Sequence, residues 1–409
     1  MNAPGLDAYE PIVGPARIRE IRAFAGFLRG VRLLNVNSTA VGGGVAEILR
    51  RAVPLLADAG LDSRWEVIAG DGAFYRTTKA FHNALQGHPQ VIEPAELTHY
   101  LDVNRANAQR LDLDADVVLI HDPQPAALIR HRPTGPNTWI WRCHIDASSP
   151  QRSLWRFLED LVRRYDASIW SMPQFTRVLP HPQFLIHPSI DPLAEKNREL
   201  APEEIAAILE RLEIPRDLPL VVQVSRYDRF KDPVGVVRAW RLAARYVPCR
   251  LVLAGGGADD DPEGAQVLAE VRHELGDDPR GHVLLLPPTA DLEINALQRA
   301  AAVVLQKSTR EGFGLTIAEA MWKGKPVIGG ATGGITVQIL DGVTGFLVHS
   351  VEGAAYRIRQ LLGQPERARR MGEQARALAR ERFLITRHLQ DFLALVLAMR
   401  TGIRELLVP

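Results

Sequence analysis

Short apolar runs bounded by Gly, Pro or Asp alternate with stretches of helical periodicity along the whole chain. A run of about four to eight apolar residues suits a strand buried on both faces, and an amphipathic stretch between two runs supplies a crossover helix. In the first half the predicted strands are VRLLNVNS (31–38), WEVIAG (65–70), DVVLIHDP (116–123), TWIWRCH (138–144), ASIWSMP (167–173) and QFLIHPSI (183–190). The helix ILRRAVPLLADAGL (48–61) follows the first of them. In the second half they are LPLVVQVSR (218–226), CRLVLAGGG (249–257), HVLLLPP (282–288), AAVVLQKS (301–308), KPVIGGAT (325–332) and GFLVHS (345–350). Strand and helix in regular alternation predict an α/β fold with parallel sheets. The segment HPSIDPLAEKNRELAPEEI (187–205), rich in proline and charge, interrupts the alternation and reads as a linker. Two doubly wound, Rossmann-like domains facing across a cleft are therefore expected. The first takes residues 1–190 and the second 191–389, with a C-terminal helix from about 390 to 409 packed back on the first. Pro365 to Leu407 reads as helical throughout, with Phe383, Leu389, Phe392, Leu393 and Val396 on its apolar face.

Composition narrows the class without changing the architecture. A chain of 409 residues is too long for one ordinary core. With 46% hydrophobic and 24% charged residues it reads as a soluble globular protein, and a net charge of +1 gives no electrostatic case for nucleic acid. No apolar run approaches about 18 residues, and the start MNAPGLDAYEP lacks the basic-then-apolar order of a signal peptide. A cytoplasmic protein without stable membrane association is expected. Cys143 and Cys249 each fall in or beside a strand and are expected to be free, buried thiols. Lys occurs only at 79, 196, 231, 307, 323 and 325 in a chain whose basic residues are nearly all Arg. A lysine at a strand end is therefore conspicuous.

Open α/β sheets hold ligands at the carboxyl ends of their strands, so chemistry is expected at the strand-to-helix turns. NSTAVGGGVAEIL places Gly42, Gly43 and Gly44 between the first strand and its helix. Such glycines let the backbone come close to a ligand, and a helix N-terminus offers N–H groups to an anion or a hydroxyl. VSRYDRFKDP sets Arg226 and Lys231 just after the first strand of the second half. A rigid guanidinium and a point-charge ammonium can clamp a diphosphate from two sides. TREGFGLTIAEAMWKGKPVIGG (309–330) puts Glu311 before a helix and Glu319 about one turn inside it. Gly312, Phe313, Gly314, Leu315 and Thr316 form the turn between, and their N–H groups suit phosphate or sugar oxygens. Glu311 would reach hydroxyls of the bound group, and Glu319 can accept two hydrogen bonds from a vicinal diol such as a ribose.

IHDPQP and WRCHIDASSP carry His121–Asp122 and His144–Asp146 after neighbouring strands, two His–Asp sites that point to hydroxyl recognition of a second substrate. The D-x-D spacings in LDLDAD (111–116) and ADDDPEG (258–264) are discounted as metal sites. The first precedes a strand, and the second reads as a solvated acidic loop. No zinc spacing, nucleophile elbow or P-loop is present.

Arg226 and Lys231 followed by Glu311 and Glu319, in that order and at those strand ends, resemble the retaining glycosyltransferases of the GT-B fold, the large family that includes sucrose, glycogen and mannosyl transferases. NVNSTAVGGGVAEIL, FHNALQG (81–87), IHDPQP, WRCHIDASSP and PSIDPLAEKN look like its trehalose-forming branch, the glycosyltransferring trehalose synthases and related retaining trehalose phosphorylases. The phosphorylases of that type are markedly longer. The resemblance implies glucose transfer from ADP- or UDP-glucose to free glucose, giving α,α-trehalose in a reversible reaction. By carry-over, Arg226 and Lys231 would bind the donor diphosphate, Glu311 the transferred sugar, residues 312–316 sugar and phosphate, and Glu319 the ribose. Gly43 and Gly44 join the donor set. Asp122 and His144 would act on the glucosyl unit and acceptor, with Asp146 beside them. The small-molecule partners implied are NDP-glucose, glucose and trehalose. No tightly bound cofactor or metal is implied, Mg²⁺ entering only as a stimulant, and a homodimer is the assembly to test for.

Alternatives stay open on the sequence alone. One is a retaining trehalose phosphorylase. Another is a peripheral membrane glycosyltransferase with a lipid acceptor, suggested by the basic helix RIREIRAFAGFLRGVR (17–32) with Ile18, Ile21, Phe24, Phe27 and Leu28 on its apolar side. A non-enzymatic sugar-nucleotide sensor is a third, opposed by the intact Arg226, Lys231, Glu311 and Glu319.

Overall fold

The structure is a computed structural model that describes residues 4–41, 43–256 and 262–402. Two compact units divide the chain: the residues up to Ser189 together with those from Ile385 on, and Ile190–Leu384. Gly42 and most of the acidic stretch 258–264 lie outside the described residues, as does the chain beyond residue 402.

In the first unit six strands form one parallel sheet: β1 (Arg32–Asn37), β2 (Asp62–Val67), β3 (Val117–His121), β4 (Thr138–Cys143), β5 (Ala167–Trp170) and β6 (Gln183–Leu185). Their order is β2-β1-β3-β4-β5-β6. The second unit repeats the plan with β7 (Leu220–Val224), β8 (Arg250–Gly255), β9 (Gly281–Leu285), β10 (Val303–Gln306), β11 (Val327–Gly330) and β12 (Gly345–Val348), all parallel, in the order β12-β11-β10-β7-β8-β9. Each is a doubly wound, Rossmann-like sheet with helices around it. Helices cover both faces of a parallel sheet, so its inner strands are buried whole. Every residue of β3 and β7 is buried. Trp139, Trp141 and Trp170 fill the first core and Trp240 with Phe346 the second. Both cysteines are free and buried.

Every apolar run of the sequence contains a strand, but β6 takes only Gln183–Leu185 of the expected QFLIHPSI (183–190), and two further local corrections apply. β2 starts at Asp62 and ends at Val67, three residues ahead of the expected WEVIAG. It is an edge strand paired with β1 alone, so Asp62, Ser63 and Arg64 can take part without being buried on both faces. The C-terminal stretch is two helices, Pro365–Arg382 and Ile385–Thr401, and not one. Between them Phe383 O accepts from Ile190 N at 2.8 Å, and Leu384 pairs with Ile190 in a short parallel bridge. That pairing takes the backbone out of the helical ladder.

The helix Pro15–Phe27 packs within its own unit against Ile385–Thr401. Gln390 is the polar hinge of that contact: its Oε1 accepts from Arg17, and its Nε2 donates to Glu20 (3.1 Å). Ile18, Ile21 and Leu28 are buried, whereas Phe27 is exposed. Ile18, Ile21 and Leu28 of the apolar face that suggested a lipid surface are thus covered by protein, and Phe27 is not. Among the described residues no helix is long and apolar enough to cross a membrane.

Candidate active site

Both sheets reverse strand order once, between β1 and β3 in the first unit and between β7 and β10 in the second. Loops leaving the two strands beside such a reversal run in opposite directions and open a crevice at the carboxyl ends, where ligands bind. The residues singled out in the sequence follow those strands and β4, next to β3.

In the second unit, the chain leaves β7 and makes a short turn at Arg229–Lys231, whose last N–H is capped by Asp228: its Oδ1 accepts from Lys231 N (3.1 Å). Asp232, in the left-handed region at φ +47°, then caps the helix Pro233–Ala244 through Gly235 N (3.0 Å). The turn aims Lys231 at the end of β10. Its Nζ donates to Glu311 Oε2 at 2.6 Å, and Ser308 Oγ donates to the same oxygen at 3.1 Å. Both charges are largely buried. Arg226 is different: its side chain is 68% exposed and pairs with Asp228 (2.8 Å). Lys307, at the end of β10, pairs with Asp232.

The turn after Glu311 is held from the side. Gly314, at φ +85°, ends it and caps the helix Leu315–Trp322. Gly333 and Gly334 lie against its backbone, and Gly334 N donates to Glu311 O (3.1 Å). Gln338 Nε2 donates to the carbonyls of Phe313 and Gly314, and Thr316 Oγ1 to Val224 O (3.3 Å). Phe313 itself is buried edge-on against Phe383. The first turn of the helix therefore opens at the crevice with its dipole fixed in direction. Glu319, one turn in, is 3% exposed, with Lys196 Nζ at 3.9 Å. Lys323 is buried behind it, and burial lowers its pKa to about 7 although the nearby Glu319 charge pulls the other way.

In the first unit, Gly43 (φ +83°) caps the helix Gly44–Asp58 directly after the β1 loop. Asp122 also has a positive φ, +65°, where its short side chain turns onto the next strand end. Its Oδ1 accepts from His144 N at 2.7 Å, and its carbonyl accepts from Trp141 Nε1 at 3.0 Å. The two expected His–Asp sites are cross-connected: His121 Nδ1 lies 3.0 Å from His144 Nε2, and His121 Nε2 lies 3.2 Å from Asn35 Oδ1. With the Asn35 amide oxygen facing it, His121 Nε2 carries the proton and Nδ1 accepts from His144. His144 Nδ1 is then an acceptor. Burial, with the Arg142 guanidinium close by, holds both imidazoles far below their usual pKa, so both are neutral. Burial raises the Asp122 carboxyl to about 7, against the pull of the His144 N–H and of Arg142. Asp146 is buried, and its Oδ1 accepts from Ser148 N (2.9 Å).

The structure thus joins Lys231 to Glu311 and Asp122 to His144, while Arg226 meets neither Lys231 nor Glu311. Sequence reasoning missed Asn35, Ser308 and Gln338, which hold site residues by hydrogen bonds that no local pattern announces. Lys196, Lys307 and Lys323 carried a signal, the rarity of lysine. Asp112 and Asp114 of LDLDAD are taken up by Arg64 and Arg32 at 2.9 Å each. Among the described residues no group of three His, Cys, Asp or Glu side chains could hold a metal ion.

Residues 35–177 match a family model described as the N-terminal domain of trehalose synthase, and residues 204–378 one described as glycosyl transferases group 1. A protein of Pyrococcus horikoshii named trehalose synthase is 45% identical over 395 residues, covering 95% of each chain. The chain belongs to the trehalose synthase family. The trehalose synthase of Rubrobacter xylanophilus is 40% identical, over 95% of this chain and 96% of its own. A trehalose phosphorylase of Pleurotus pulmonarius is more distant, 29% identical over 84% of this chain and 54% of its own. Among solved structures, sucrose-phosphate synthase from Thermosynechococcus elongatus superposes with a TM-score of 0.70 at 20% identity, over 91% of this chain and all of that one. The Anabaena protein Alr3699/HepE in complex with UDP and glucose gives 0.69 at 18%, over 90% and 99%. The fold is GT-B, and this member of the trehalose synthase family is a hexosyltransferase.

Proposed function

We propose that the enzyme transfers glucose from ADP- or UDP-glucose to free glucose with retention, giving α,α-trehalose and NDP, and that the reaction runs in both directions. The observation that carries this reading is the buried Lys231 ammonium, anchored on Glu311 beside the β7/β10 crevice. A fixed cation there costs no reorganisation when a diphosphate departs. Arg226, exposed and hinged on Asp228, swings onto the same diphosphate, and the N–H groups of residues 312–316 complete the anion's surroundings. The acceptor hydroxyl oxygen bonds to the anomeric carbon on the face from which the bond to phosphate breaks. The departing phosphate oxygen takes the hydroxyl proton. Glu311 accepts from hydroxyls of the transferred glucose and Glu319 from the ribose, with Gly43 and Gly44 as further donor-binding residues.

Asp122, His144 and Asp146 hold the acceptor and the glucosyl unit. The work is positional and electrostatic, without a covalent glucosyl-enzyme. No resident metal enters it, Mg²⁺ serving at most to screen the diphosphate. A cytoplasmic location and a homodimer belong to the same reading.

An acceptor panel tests it. Trehalose is expected from NDP-glucose with free glucose; efficient transfer to glucose 6-phosphate or to inorganic phosphate instead would overturn the acceptor assignment. The acceptor site should also respond to pH. An ionised Asp122 accepts from glucose hydroxyls better than a protonated one, and its pKa lies at about 7. KM for glucose should therefore rise as pH falls through about 7. Asp122→Asn should show a high KM at every pH, whereas a KM profile as steep as the parent's in that variant would remove Asp122 from the acceptor site.

A further inference from the structure

Lys196 lies in the stretch that reads as a linker, yet that stretch is fastened to the second unit. Asn295 Nδ2 donates to the carbonyls of Glu195 (2.8 Å) and Arg198 (2.9 Å). Arg299 Nη2 donates to those of Asn197 (3.1 Å) and Arg198 (2.9 Å). From the far side the buried Lys323 Nζ donates to Asn197 Oδ1 at 2.9 Å. Residues 195–198 are thus a pinned shelf on the helix Asp291–Ala300, and Lys196 projects from it. Its side chain is largely buried, with Nζ 3.9 Å from Glu319 Oε1 and 3.7 Å from Asp291 Oδ1. Lys323 supports the same glutamate from beneath, donating to Gln298 Oε1 (2.6 Å) and lying 3.5 Å from Glu319 O.

A carboxylate as buried as Glu319 is costly without a counter-charge or hydrogen-bond donors beside it. Lys196 supplies the counter-charge at 3.9 Å, too long to occupy the oxygen's lone pairs. We propose that Lys196 is a positioning residue of the donor site. It holds the Glu319 carboxylate turned so that both of its oxygens can accept from the ribose diol of the sugar nucleotide, and Asn295, Arg299 and Lys323 hold it there. This rests on Glu319 being the ribose ligand, and it deepens that reading: selectivity for a ribonucleotide donor belongs to the pair, not to the glutamate alone.

The test compares KM and kcat for NDP-glucose and for its 2′-deoxyribose analogue in the parent, Lys196→Met, Lys196→Arg and Glu319→Gln. The parent should prefer the ribose donor by about tenfold or more in KM. Lys196→Met keeps the aliphatic stem but should lose most of that preference, as Glu319→Gln does, with kcat on the ribose donor nearly unchanged. Lys196→Arg should restore it. A parent without preference overturns the ribose role of Glu319 itself. Parent-like preference in Lys196→Met overturns the role of Lys196 and leaves Glu319 standing. If Lys196→Met is unfolded by circular dichroism, Lys196→Arg decides: preference kept with the charge kept supports the pair, and preference lost with the charge kept overturns it.

Discussion

Lys231→Met is expected to cut turnover at least about 10²-fold, because one fixed charge facing the leaving diphosphate disappears. The same substitution strands Glu311, whose buried carboxylate loses the ammonium at 2.6 Å. Breaking one side of a buried pair costs about 3 kcal/mol or more, so the melting temperature should fall with activity. The two effects separate in Lys231→Met/Glu311→Gln. With no uncompensated charge left, most of the stability should return while turnover stays low. A double variant that recovers both would mean that the pair serves folding alone, and near-parent turnover in Lys231→Met would remove Lys231 from the mechanism. Arg226→Ala should lower turnover without a stability cost, since that side chain is 68% exposed. Combined with Lys231→Met its effect should be less than additive, because both serve one anion.

The second large effect is expected at Gly333. A Cβ there would lie 1.7 Å from Glu311 O, and the backbone sits at φ +46°. The obstacle is main chain that cannot rotate aside, so one of the two loops must move by more than about an ångström. Gly333→Ala should therefore displace Glu311 from Lys231 and the opening of the helix Leu315–Trp322 from the crevice. A loss of turnover of about 10²-fold or more is expected, since displacements of that size at a site cost as much. Gly342 is the control: its φ is +77°, but nothing lies within 4 Å of its Cβ position. Gly342→Ala should show only the strain of a left-handed alanine, about 1–2 kcal/mol, with turnover kept. Parent-like turnover in Gly333→Ala would mean that the 331–334 loop does not position the site.

The inner strands were legible because they are buried on both faces and so are written as unbroken apolar runs. β2 was misplaced for the complementary reason, since an edge strand accepts Asp62 and Arg64. The break at Phe383 and Leu384 was not legible, because Ile190 imposes it from far along the chain. The site shows the same division. Residue type and strand-end position marked Lys231, Glu311, Glu319, Asp122 and His144. Their partners did not follow from local pattern: Lys231 and Glu311 are joined across 80 residues, and His121 turns to His144 instead of to an aspartate. The linker reading of 187–205 failed to anticipate its anchoring by Asn295 and Arg299, because proline and charge describe a segment's backbone and say nothing of which side chains will grip it.

Transfer of a glucosyl group from a sugar nucleotide to free glucose with its configuration kept can be watched directly. NDP-glucose carrying carbon-13 at the anomeric carbon, mixed with unlabelled glucose and the enzyme, is followed by carbon-13 NMR while released NDP is assayed. The expected result is a labelled α,α-trehalose signal growing in step with NDP. An α,β product, label appearing only as free glucose, or trehalose formed only when glucose 1-phosphate replaces the sugar nucleotide would contradict it.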